Sequence, residues 1–96
     1  MTPLHQAAQD GNAESVAALL NRPETDVNCK DFDEMTPLHY AAQEGEYDTV
    51  KALLESPSID LFEEDIQGKT PLYHAVQFGL ETLINLLQEK MLQKQQ

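Results

Sequence analysis

The chain has 96 residues, 41% of them hydrophobic and 24% charged, enough for one domain with a modest core and too few for two. Seventeen acidic residues against six basic ones give a net charge of -11, which repels phosphate backbones and anionic headgroups and removes nucleic acid and membrane surfaces as partners. The lone Cys29 cannot close an internal disulfide, no basic stretch leads into an apolar run at the start, and no window approaches the ~18 apolar residues of a membrane span, so the chain reads as intracellular and cytoplasmic.

A fixed period organises the elements: Thr2-Pro3-Leu4-His5 returns as Thr36-Pro37-Leu38-His39 and, altered, as Thr70-Pro71-Leu72-Tyr73, with the three threonines evenly spaced along the chain. In the first unit, residues 2–35, Thr2 offers an N-cap oxygen to unpaired first-turn amides, and Pro3 carries a preset helical φ where its missing N–H has no partner to lose. The helix that starts there buries Leu4, Ala7 and Ala8 on one stripe and ends at Gly11. The chain reverses into a second helix carrying Val16, Leu19 and Leu20, stopped by Pro23, and then makes a turn-rich excursion to Met35. Residues 36–69 repeat this plan with Leu38, Ala41, Ala42, Gly45, Val50, Leu53, Leu54 and Pro57, and Asp60 and Asp65 fall where Asp26 and Asp31 stood. Residues 70–96 keep Ala75, Gly79, Ile84 and Leu87 but end without another excursion.

Thr-Pro-Leu-His-x-Ala-Ala, then Gly, then Val-x-x-Leu-Leu, then Asp-Val-Asn with an Asp-rich turn resembles the ankyrin repeat across essentially the whole chain. The resemblance implies an all-α repeat: an ankyrin-like solenoid of three stacked helix-turn-helix units, with short β-hairpin fingers and a concave face made by the fingers and first helices. The family's unit is usually about 33 residues long, one fewer than here, and the connections 21–25 and 55–59 carry the extra one. Gly68 sits at the second finger tip where the family expects glycine, but Glu34 stands there in the first, which predicts a different turn type or a mobile tip. Gln88 replaces the second leucine of the third unit, a polar substitution suited to a terminal cap. The opening at a helix cap, without a preceding finger, suits either a compact start or a piece of a longer array or multidomain enzyme or effector. A monomer is expected, with weak self-association through the N-terminal face.

His5 and His39 could serve as base or zinc ligand, but both recur inside one structural phrase, and the resemblance implies that each bonds the threonine three residues earlier and a neighbouring loop. Cys29 with His39 and Asp31 could be drawn as a nucleophilic triad, yet Cys29 falls in a finger stem. Four scattered glycines make no phosphate loop, and Asp31, Asp33, Glu34 and 63–65 lack the alternating ligands of a calcium loop. Asn28 stands in a stretch that resembles a hydroxylation pattern of the family, but the reading preferred is the usual stem asparagine. No cofactor, metal or catalytic role is expected.

What remains is a surface. The fold makes little demand on Phe32, Asp33 and Met35 in the first finger, on Ile66, Gln67 and Lys69 in the second, or on Gln6, Gln9, Asp10, Tyr40, Gln43, Glu44, His74, Gln77 and Phe78 along the first helices. Aromatic anchors rimmed by carboxylates suit recognition of another protein of basic or mixed charge, without catalysis.

Overall fold

The computed structural model describes residues 1–94, with six helices: α1 (Pro3–Gln9), α2 (Ala13–Leu20), α3 (Pro37–Glu44), α4 (Tyr47–Leu54), α5 (Pro71–Gln77) and α6 (Glu81–Lys94). The first helix of each unit begins where the local chemistry dictates. Thr2, Thr36 and Thr70 are extended at the N-cap with proline next, and each hydroxyl oxygen accepts from the backbone N–H three residues on. In α1 and α3 the capping box is closed by histidine in place of the usual glutamate: Nδ1 of His5 and His39 accepts the backbone N–H of Thr2 and Thr36 at 3.2 and 3.1 Å. Gly45 ends α3 at φ 72°, a left-handed conformation that costs an L side chain about 1–2 kcal/mol and glycine almost nothing.

The first helices form one layer, α1 on α3 and α3 on α5, and the second helices form another, α2 on α4 and α4 on α6, with each hairpin joining the two. The small stripe lets the first layer close up: Ala8, Ala41, Ala42 and Ala75 are fully buried beside Leu4, Leu38, Val16, Val50, Leu53 and Leu87. The sequence expectation of stacked helical units is met.

The fingers differ from expectation. Among the described residues no strand forms; each finger is a tight turn closed by its own backbone, Asp31 N–H to the Met35 carbonyl at 3.1 Å and Asp65 N–H to the Lys69 carbonyl at 2.9 Å. A pair this short supplies too few rungs for a ladder. Nor do the two tips differ in type. Glu34 takes φ 59° where Gly68 takes 77°, and in both the residue's N–H bonds back to the aspartate carbonyl at 2.9 Å. Glu34 therefore adopts the glycine conformation rather than a different turn.

Candidate protein-interaction surface

The concave side is built from the finger aspartates. Asp31 Oδ1 accepts the backbone N–H groups of Asp33 (2.9 Å) and Met35 (3.0 Å), and Asp65 Oδ1 accepts those of Gln67 and Lys69 (both 2.9 Å). The second carboxylate oxygen reaches the next unit's first helix: Tyr40 Oη donates to Asp31 Oδ2, and His74 Nε2 lies 3.0 Å from Asp65 Oδ2. Tyr40 and His74 stand exactly one unit apart, so phenol and imidazole do one job at one repeat position. Burial works to raise both carboxyls. At Asp31 the Tyr40 hydroxyl and the amides of Met35 and Asp33 outweigh it, and at Asp65 the amide of Lys69, His74 and the amide of Gln67 do so, holding both below the usual aspartate value. Burial, then the hydrogen bond and charge of Asp31, push the Tyr40 phenol up to about 12.

The histidines expected to be structural are so placed. His5 Nε2 meets the Met35 carbonyl and His39 Nε2 the Lys69 carbonyl, both at 2.8 Å. A carbonyl can only accept, and Nδ1 already accepts the threonine N–H, which assigns the Nε2–H tautomer to each ring. Burial first of all depresses the His39 pKa, keeping the imidazole neutral. The structure does not assemble Cys29 with His39: its Sγ lies 3.4 Å from Thr2 Oγ1 and 3.8 Å from Nδ1 of His5, a nitrogen already engaged. Asn28 is held at both ends of its amide, donating to the Ser58 carbonyl and accepting from Asp60 N–H, each at 2.8 Å, and so ties one finger stem to the next. Ile66 N–H donates to the Asp33 carbonyl, and Lys30 reaches the Glu64 carbonyl and the Glu63 carboxylate, so the fingers form one wall.

Between that wall and the first helices lies a hollow of about 420 Å³ lined by Gln9, Asp33, Met35, Tyr40, Gln43, Glu44, Asp65, Ile66, Gln67 and His74. Of the residues singled out in the sequence, Gln9, Asp33, Gln43, Glu44, Ile66 and Gln67 are exposed on it. Met35 and His74 border it but are buried, and Tyr40 is half-buried with its hydroxyl committed to Asp31. The expectation that the fold demands little of these three is corrected. Phe32 stands outside the hollow at the first finger tip, 97% exposed, and Gln77 and Phe78 are exposed at the end of α5. Lys69 turns away over Tyr73, its Nζ 5.2 Å from the ring centroid. Asp65 is the lining residue that sequence reasoning left out. Its signal is an aspartate nine residues ahead of a Tyr or His donor in two successive units.

Comparison with known families decides the class. The family model described as ankyrin repeats, in three copies, matches residues 4–96. The chain belongs to the ankyrin-repeat family. A search of curated proteins finds no match to it. Ankyrin repeats are in general protein-interaction modules and are typically non-catalytic, which directs attention to the hollow and fingers of this ankyrin stack. Among its described residues no helix is long and apolar enough to cross a membrane.

Proposed function

We propose that this ankyrin stack is a non-catalytic module that grips an extended segment of a basic or mixed-charge protein in the hollow between finger wall and first helices. The observation that carries the reading is the lining itself: Asp33 and Glu44 stand exposed on the hollow with no Lys or Arg among its lining residues, beside the 64% exposed Ile66. Carboxylates without a neighbouring cation favour a partner's lysine or arginine, and Ile66 supplies an apolar contact whose burial contributes affinity. Phe32 at the first finger tip and Phe78 at the end of α5, both exposed outside the hollow, extend the contact. Because each finger is fixed by its aspartate and Asn28 ties the two stems together, little ordering entropy is lost on association.

Selection of random peptides on the immobilised chain tests this. Peptides enriched in Lys and Arg, whose binding falls with salt and is lost in the variant Glu44→Lys with Ile66→Ser, are expected. Both positions are exposed, so the variant keeps its cooperative melt. Selection of acidic or charge-indifferent peptides that bind the variant equally well contradicts the reading.

A further inference from the structure

Gln9, Gln43 and Gln77 occupy one register of the repeat, in the last turn of each first helix, and all three are exposed. The first two line the concave hollow, and none of the three side chains is hydrogen-bonded among the described residues. A carboxamide both donates and accepts, which matches the N–H and C=O of a peptide group. Packed helices lie about 8–10 Å apart and an extended chain advances about 3.3 Å per residue, so successive glutamines meet peptide groups about three residues apart. The row offers contacts to a backbone and sets no side-chain order.

Order comes from the registers beside the row. Directly after the glutamines stand Asp10, Glu44 and Phe78, the last 52% exposed. Asp10 and Glu44 are exposed although a following first helix packs beside their own, so this register faces outward in the repeat itself. At the finger tips Asp33 and Glu34 give way to Gln67 and Gly68, while Phe32 and Ile66 keep both tips apolar. Charge, not apolarity, therefore separates the two fingers. Lys69 adds a cation to the second. The stems run the other way, with Lys30 and then Glu64, but neither lines the hollow, and Lys30 is taken up by Glu63 at 3.4 Å.

We propose that the concave face fixes the order in which it reads its partner: an extended segment lies across the first helices with a lysine or arginine toward Asp10, Asp33 and Glu44, and an apolar side chain about three residues away toward Ile66 and Phe78. The inference rests on the reading of the hollow as a peptide site and adds the partner's pattern and its placement. A segment laid the other way sets its cation beside Lys69 and Phe78 and its apolar side chain among carboxylates, and so loses both contacts. Side-chain order is what the face reads, so segments of the form Lys-x-x-Phe and Phe-x-x-Lys run across it in opposite chain directions.

The test titrates the isotopically labelled chain with a serine-glycine peptide carrying an Arg-Arg pair and a Phe three residues on, with a nitroxide attached at either its basic or its apolar end. The basic-end label is expected to broaden the amides of Asp10 and Asp33 most, and the apolar-end label those of Gln77 and Phe78. The fourfold variant Asp33→Gln, Glu44→Phe, Gln67→Asp, Phe78→Glu exchanges side chains within two registers, so composition and the net charge of -11 are unchanged. All four positions are exposed, and each new side chain is one its register already carries in the neighbouring unit, so the variant should fold, as its helical circular dichroism checks. It evens out the charge along the face, and each label should then broaden both ends alike. Broadening of both ends by either label in the wild-type chain overturns the proposal, and so does a variant that keeps the wild-type pattern. In both cases the peptide still occupies the hollow, so the functional reading stands and only the order fails. A peptide that broadens neither end while lysine-rich selected peptides still bind also overturns the order alone, whereas failure of every basic peptide overturns both.

Discussion

Glu34 offers the sharpest energetic test, because the structure places a glutamate in a glycine's conformation. At φ 59° its Cβ crowds the following carbonyl, a strain of about 1–2 kcal/mol, held in place by the three bonds that Asp31 accepts from Asp33, Met35 and Tyr40. Glu34→Gly removes that strain but gives the unfolded chain back about 0.4–1 kcal/mol of conformational freedom, leaving a net gain near 0.5–1 kcal/mol. With a urea slope of about 1 kcal/mol/M, the midpoint should rise by about 0.5–1 M at unchanged slope. Glu34→Gln keeps the strain and removes one negative charge, so it isolates the electrostatic part. The reciprocal change is Gly68→Glu. A Cβ there meets only Glu64 Oε1 at 3.6 Å, an ordinary contact, so its expected loss of about 1 kcal/mol comes from φ alone. A midpoint for Glu34→Gly no higher than that of Glu34→Gln refutes the strain argument.

Other outcomes follow from the same finger and core geometry. Asp65→Ala strips the acceptor from the Gln67 and Lys69 amides and from His74, and should cost roughly 3 kcal/mol in denaturant unfolding, a large share of a small domain's stability. Because Asp31 and Asp65 are held below the usual aspartate value, their contribution is present above the unfolded pKa near 3.8 and lost as pH falls through their folded values. The acid limb of a stability-against-pH curve should flatten in Asp65→Ala. Tyr40 has the opposite sign: its contribution is present below pH 10 and lost as pH rises through about 12, so near-ultraviolet absorbance should show a phenolate forming there together with unfolding. The Thr49 hydroxyl is fully buried with no hydrogen-bond partner, so Thr49→Val should leave the melting temperature unchanged or higher, and a clear drop would reveal a partner for it.

The period, the Thr-Pro caps, the structural histidines and the buried leucine and alanine stripes were legible because each is a local rule that returns at the same place in every unit. What escaped depends on pairs far apart in sequence. Tyr73 aligns with His39 by its place after Thr-Pro-Leu, but nothing local in the sequence marks Tyr40 and His74 as other than free groove residues. Their role appears only when each is set against an aspartate nine residues earlier in the preceding finger. Met35 looked like a finger-tip anchor, yet its backbone carbonyl is the acceptor for His5, which draws the residue inward.

The most direct test of concave-face recognition is residue-resolved NMR of the labelled chain titrated with a selected basic peptide. Shifts concentrated on Asp33, Gln43, Glu44, Ile66 and Gln67, and absent in the Glu44→Lys, Ile66→Ser variant, are predicted. Shifts confined to the outer sides of α2 and α4, around Glu14, Asp48 and Lys51, would contradict it.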